Sequence, residues 1–501
     1  MKKFLRTIFT YDNFSCLFTL RNVTLALALI IPIIVWMVRK RSVPPGPFTF
    51  PIFGSFQLLG VDGKSLNKTL IEIGKKYGPI FRINLGNCYL TVVQGHDLIQ
   101  EALTNGAEYF QRRPVWLHTA KAIYNGKGII WGDGTEWQTI NKIAGKTANQ
   151  FVTSKSVMEA TIQEEIRLIL NELYLEKCRP INLRLIISNA VYNILSTLTF
   201  GERLEYDRSS CRTFKENLQS LALADIMRMP ENYQIYSRWF SKKVESLSKT
   251  RSKIIEFLEP RLTNHKSAFV KRESKDFIDI CVQHIRDGDS KLDDEDVLQS
   301  MIDLFTAGCE PTVSVLMWAF LFMVRYPEMQ KRCRFEIMKA MSNSKNPSWG
   351  DRDKMLYVQA VLLEVKRFAS AMSCGLPHTM DTDLELGGYR IPRGDIVIFH
   401  QYASHMDPTY WKRPSEFRPE NFIDSDGKLI QHVAFFPYGH GPRACPFSSV
   451  TDKILYLTFT SILTQYELRS PDDSPMPSTD SVPGTIRFPK NYYVCPYPIE
   501  S

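Results

Sequence analysis

Pro437-Tyr438-Gly439-His440-Gly441-Pro442-Arg443-Ala444-Cys445 puts one cysteine at the end of a Gly/Pro-rich loop. An arginine stands two positions before it, and a largely apolar, helix-like run follows from Ile454 to Leu463. The glycines let the backbone pass close under a flat ring system. Arg443 can pair with a carboxylate, and the start of the following helix adds positive potential near the sulfur. This combination suits presenting a single thiolate to a haem iron, with Arg443 on a haem propionate. A thiolate ligand donates strongly to iron and favours O–O cleavage. A buried structural cysteine is the other use of such a residue, and the loop alone leaves both open.

Two further constellations could serve that chemistry. Ala307-Gly308-Cys309-Glu310-Pro311-Thr312 interrupts an otherwise apolar helical run. Small residues there let a flat cofactor and O₂ come close, and Glu310 with Thr312 could relay protons to reduced dioxygen. Pro311 lacks an amide donor, frees the carbonyl of Ala307 and predicts a kink. The alternative is a packing kink with Glu310 in solvent. Glu364-Val365-Lys366-Arg367 sets a carboxylate and a guanidinium three residues apart on one helix face, where they can pair. Any helix yields such a pair by chance, so its place upstream of Pro419-Glu420-Asn421-Phe422 and Cys445 matters more than its spacing.

The elements that must position these residues are mainly helical. Phe81–Leu85 and Tyr89–Val93 read as a hairpin turning at Gly86-Asn87. From about Ser154 to Ile337 apolar residues recur at three- and four-residue spacing. Within that stretch, the charged run from Lys271 to Asp296 reads as surface. The longest helical signal spans about Asp294 to Arg325 and ends at Tyr326-Pro327. Strand-like pieces follow at Leu384–Ile391 and Ile396–Phe399, with Pro392-Arg393-Gly394 as the turn. The expected fold is mainly α with a minor β part.

Composition bounds the partners. The chain has 501 residues, is 44% hydrophobic and carries a formal charge of +9. That charge suits an anionic membrane surface or an acidic protein partner. The basic residues are spread along the chain without a nucleic-acid motif, so nucleic acid is set aside. The ten cysteines show neither Cys-x-x-Cys pairs nor zinc-ligand spacing, which points to free thiols in a reducing compartment. At the N-terminus, Val23–Val38 is uncharged and Arg39-Lys40-Arg41 stops it. The run is shorter than the roughly 20 residues a spanning helix prefers; Asn22, interfacial Trp36 and snorkelling Arg39 can make up the difference. No small-x-small cleavage site follows, as a signal peptide would need. Pro44-Pro45-Gly46-Pro47 then stiffens the chain. The organisation read here is an anchor over 1–41, a hinge over 42–53 and a catalytic domain over 54–501. Basic residues flank the anchor on both sides, so charge alone does not orient it.

The cysteine loop resembles that of the cytochrome P-450 family, in which Pro-Phe-Gly-x-Gly-Pro-Arg-x-Cys is a common form. The anchor and proline hinge resemble the start of animal microsomal members. The order Glu-x-x-Arg, then Pro419–Phe422, then Cys445 is also the family's. The resemblance implies a cytochrome P-450 fold with haem b (iron protoporphyrin IX) between the long central helix and the cysteine loop. It implies Cys445 as iron ligand, Glu310 and Thr312 in proton delivery, and Arg443, Trp137, His378 and Arg113 at the propionates. It further implies NADPH-cytochrome P-450 reductase and cytochrome b5 as electron donors, and an apolar, lipid- or steroid-like substrate. Placement would be the endoplasmic reticulum membrane, with a single-pass anchor and a cytosolic catalytic domain. Expected pocket walls are Val115–Ile130, Leu221–Met229, Leu304–Ala307, Met372–Leu376 and Thr485-Ile486.

The chain departs from the family pattern at Asn141, where an arginine is usual and neighbouring Lys142 could substitute, and at Pro311, Asn421, Tyr438 and Phe447. Pro311 occupies the place of the proton-managing threonine. Two other activities therefore stay in view: a haem-thiolate isomerase or dehydratase of lipid peroxides, and a non-catalytic membrane carrier of haem or sterol.

Overall fold

A computed structural model describes residues 42–48, 55, 65–86, 88–153, 155–224, 237–269, 276–288, 291–341, 344 and 346–499. The expected anchor, the later part of the hinge and the wall segment 225–229 lie outside the described residues. The longer helices are α1 (Leu66–Tyr77), α2 (Gly134–Thr153), α3 (Lys155–Leu175), α4 (Arg184–Phe200), α5 (Ser209–Ala222) and α6 (Ser237–Ala268). They continue with α7 (Phe277–Asp287), α8 (Asp294–Arg325), α9 (Pro327–Met341), α10 (Leu356–Ala369) and α11 (Ser448–Gln465).

Helix α8 is the axis of the molecule. Asp293 caps its first turn and Asp296 bonds back to the Asp293 amide, completing a capping box. Its sequence is long and apolar enough to cross a membrane, yet 83% of its most apolar window is buried inside the protein. It is a core helix, packed against α4, α5, α6, α10 and α11. The helix stays continuous through Pro311, so the proline removes one donor without ending it.

The β part is minor. Strands β1 (Ile80–Asn84) and β2 (Tyr89–Val93) form the expected antiparallel hairpin, with Asn84 opposite Tyr89. The hinge docks on it: the Pro45 carbonyl accepts the Arg82 amide at 2.8 Å. A Cβ on Gly46 would lie 1.8 Å from the Arg82 carbonyl oxygen, so only glycine allows the approach. The run expected as one piece at 384–391 is itself a hairpin, β3 (Leu384–Leu386) and β4 (Tyr389–Ile391). Gly387 and Gly388 both have positive φ and make its turn. Pro392-Arg393-Gly394 therefore joins non-pairing neighbours, because β5 (Ile396–Phe399) runs parallel beside β2. Strands β6 (Tyr466–Arg469) and β7 (Cys495–Pro498) close a third small sheet.

The reading of Lys271–Asp296 as surface needs correction. Within it, α7 buries Phe277, Ile278, Ile280, Cys281 and Val282. The charges occupy one face of an amphipathic helix, and the mean polarity of the stretch conceals the apolar stripe.

Candidate functional site

One cavity lies between α8, α11, the cysteine loop and the segment 371–378, with about 1670 Å³ of empty space, part of it open to solvent. Its α8 wall is formed by Asp303, Leu304, Ala307, Gly308, Pro311, Thr312 and Val315. Opposite stands Cys445, an exposed residue that lines the cavity.

The loop that carries Cys445 is tied at both ends. The Cys445 amide donates to the Tyr438 carbonyl at 2.9 Å, and the Ala444 amide to the Gly441 carbonyl at 3.0 Å. Gly439 and Gly441 adopt positive φ. A Cβ on Gly441 would lie 2.2 Å from the Leu103 carbonyl oxygen, so this glycine is required both by its φ and by the close approach. Burial pushes the Cys445 thiol up to about 11, against a lowering bond from the Phe447 amide. Ionisation of this thiol is favoured by a cation at the sulfur. A coordinating metal does this outright.

The donors around the cavity fit a dianionic macrocycle. Arg443 spends Nε on the Gln111 carbonyl and Nη2 on the Gly132 carbonyl, each at 2.7 Å. Its Nη1 is buried without a partner. Arg113 donates Nε to the Ile130 carbonyl at 3.1 Å and Nη1 to the Pro377 carbonyl at 2.8 Å. Burial, and then the neighbouring Arg443 charge, lower Arg113, while Arg443 is pushed down to about 9 by burial. A buried and a half-buried guanidinium near one another call for an anion. His378 lines the same space; its Nδ1 bonds the Phe110 carbonyl. Burial, then the Arg113 charge, holds it well below the usual histidine range. The His440 Nε2, also at the cavity, is buried without a partner.

Trp137, from the first turn of α2, lies under the Arg443 guanidinium, 3.5 Å from Cζ to ring centroid. Its indole N–H is taken by the Ile129 carbonyl at 3.1 Å. Trp137 therefore meets the site as a ring that orients Arg443. Asn141 lines the cavity, whereas Lys142 is exposed and outside the lining, so Lys142 does not substitute for the usual arginine.

Glu310 and Thr312 are not brought together. Thr312 faces the cavity, and its hydroxyl donates to the Gly308 carbonyl at 2.6 Å. Glu310 is fully buried on the other side of α8. There it accepts from Gln219 Nε2 at 2.9 Å and Tyr192 OH at 3.2 Å, and meets Arg184 Nη2 at 3.4 Å. A two-residue step on a helix turns by about 200°, which separates two side chains that look adjacent in sequence.

Behind the loop, Arg367 and Glu364 form a fully buried bidentate pair with both contacts at 2.7 Å. Arg367 also donates to the His405 carbonyl at 2.7 Å and the Pro414 carbonyl at 3.0 Å. Glu364 accepts from the Arg418 amide at 2.8 Å and from Asn421 Nδ2 at 3.3 Å. Burial raises Glu364, and these donors work against it. Asn421 thus fills the hydrogen-bonding place of the missing cation without its charge.

Of the expected pocket walls, Ile129, Ile130, Leu304, Ala307 and Met372–Leu376 contribute, apart from Ser373. Thr485 and Ile486 do not line the cavity; Ile486 is core and Thr485 bonds the Ala224 carbonyl. Two residues escaped the sequence reading. His405, pushed down to about 3 by burial, accepts from the Phe436 amide and so links the Arg367 shell to the cysteine loop. Asp303, pushed up to about 7 by burial, caps the short helical turn Gly128–Trp131 through the Ile130 amide at 2.8 Å. A charged residue inside the apolar α8 run was the available signal for Asp303; His405 had none.

A family profile described as "Cytochrome P450" matches residues 44–496. Among curated proteins, human "Cytochrome P450 2J2" is 29% identical over 468 residues, 92% of this chain and 92% of the relative. Rat "Cytochrome P450 2J3" is 30% identical over 440 residues, 86% and 87%. Rat "Cytochrome P450 2B2" is 28% identical over 489 residues, 95% and 99%. The match spans nearly all the described fold, and the buried cations and the thiol flank one cavity as haem b requires; the chain belongs to the cytochrome P450 family of haem-thiolate monooxygenases.

Proposed function

We propose that this monooxygenase inserts one oxygen atom from O₂ into an apolar, lipid- or steroid-like substrate, using NADPH-derived electrons delivered by NADPH-cytochrome P-450 reductase and, as a second donor, cytochrome b5. The observation that carries this reading is the cavity, apolar on its substrate side and bounded by Cys445 on the other. Bound haem b supplies the activation of dioxygen. Cys445 is the iron ligand, and Arg443 and Arg113 take the propionates, with His378 beside them and Trp137 holding the Arg443 plane. The α8 wall excludes water with Leu304, Ala307 and Val315. On that wall Thr312 offers a hydroxyl, and release of its bond to the Gly308 carbonyl frees the Oγ1 proton toward the cavity. Glu310 stands behind the helix, so its part is to hold α8 against α4 and α5. An N-terminal anchor at the endoplasmic reticulum membrane, with the catalytic domain on the cytosolic side, completes the reading.

Pro311 favours a second activity, rearrangement of a lipid peroxide without O₂ or reductase. Purified protein incubated with fatty acids and steroids decides between them. NADPH- and reductase-dependent products carrying one added oxygen are expected. Turnover of a lipid hydroperoxide with no requirement for NADPH, and no product with it, would establish the rearrangement instead.

A further inference from the structure

Lys366 sits between Glu364 and Arg367 in sequence but takes no part in their pair. It turns to α11, where Nζ meets Asp452 Oδ1 at 2.8 Å. The same carboxylate oxygen accepts the Tyr438 hydroxyl at 2.5 Å, and the Tyr438 carbonyl accepts the Cys445 amide at 2.9 Å. Hydrogen bonds and one side chain thus run without a break from a buried ammonium to the backbone of the thiol residue. The ammonium also stands 5.2 Å from the centre of the Tyr438 ring. Lys366 and Tyr438 both line the cavity. The Lys366 side chain is 8% exposed and that of Asp452 33%.

A cation in this setting acts at short range through a poorly polarisable medium, where charges are felt far more than in water. Asp452 is the negative charge of this chain of contacts, joined through Tyr438 to the Cys445 amide. Lys366 and the Tyr438 hydroxyl both point at that carboxylate and offset it. A phenylalanine at position 438, the usual residue of such loops, would lack the hydroxyl.

We propose that Lys366, fixed by Asp452 and the Tyr438 hydroxyl, is a positioning residue that sets the charge behind the Cys445 sulfur and hence the potential at which the bound iron is reduced. This rests on the haem-thiolate reading. The test is spectroelectrochemical titration of the full-length haem-loaded protein. Lys366→Met leaves Asp452 uncompensated and is expected to disfavour reduction about tenfold, 59 mV for a one-electron couple. Asp452→Asn is expected to shift the midpoint in the opposite direction, and the double variant to return toward the wild type. Tyr438→Phe should give a smaller shift with the sign of Lys366→Met. Where Lys366→Met does not assemble with haem, Lys366→Arg, which keeps the charge, should hold the wild-type midpoint while Tyr438→Phe still moves it. Single variants that both shift in one direction, or leave the midpoint unchanged, overturn the proposal, because a packing role has no sign. A wild-type protein lacking the thiolate carbon monoxide band would instead sink the haem-thiolate reading itself.

Discussion

The two sides of the cavity are built on different principles. The cysteine side is polar and over-connected: Glu364, Arg367, His405, Tyr438, Asp452 and Lys366 hold the loop through a set of mutual bonds. The α8 side is a wall of apolar and small residues on one continuous helix, with Thr312 and Asp303 as its polar exceptions. Departures from the family pattern are absorbed differently on each. Asn421 still reaches Glu364, and Tyr438 gains a bond that phenylalanine lacks. Pro311 has no such substitute, because a helix interior offers a proline no alternative donor. A network tolerates exchange of a member when its bonds are re-satisfied; a helix wall tolerates only what fits its geometry.

The sharpest break in this comparison comes on the cysteine side. Cys445→Ala should abolish the red-shifted carbon monoxide difference band completely, whereas Cys309→Ala, in the core of α8 and away from the cavity lining, should leave it. A band surviving in Cys445→Ala would remove the foundation of the site. Next in size is Arg367→Ala. Breaking a buried pair typically costs about 3–5 kcal/mol, so this variant should lose most of its haem incorporation. Thermal denaturation of the little that assembles should fall well below the wild type.

The α8 side should respond more gently. Pro311→Thr restores an amide and adds a hydroxyl, and a few-fold rise in product formed per NADPH consumed is expected. A fall in that ratio would mean the proline shapes the groove and the relay idea fails. The smallest effect concerns Asp303. Its folded value of about 7 lies above the ordinary 3.8, so the folded state binds this proton more tightly. Its contribution to stability is full below about pH 4 and is lost as pH rises through 7. Asp303→Asn keeps an acceptor for the Ile130 amide and should flatten the decline of Tm between about pH 4 and 7. An unchanged slope would assign that pH dependence to other groups.

The long helix, the first hairpin and the cysteine loop were legible because each is a local pattern: apolar period and capping acids, alternation around Gly86, and glycines leading to Cys445. The β3–β4 hairpin was missed because two adjacent glycines in a short run look like one weak strand. The parallel partnership of β2 with β5 joins residues about three hundred positions apart, and no local rule carries it. The buried face of α7 was hidden by its charges. At the site, residue types pointed to the thiol and to Arg443, but not to what each atom of Arg443 or Trp137 was already bonded to.

By itself, the amino-acid order determined the helical class, the cysteine proposed as ligand and the presence of a pairing motif upstream of it, since these depend on short-range spacing and side-chain chemistry. Only the tertiary structure decided which side of α8 each polar residue faces. It turned Glu310 into the packing of α4 and α5 and left Thr312 at the cavity, and it directed Lys366 away from its sequence neighbours toward Asp452. Those outcomes depend on helix rotation and on which elements pack together, and both follow from burial summed over the whole chain.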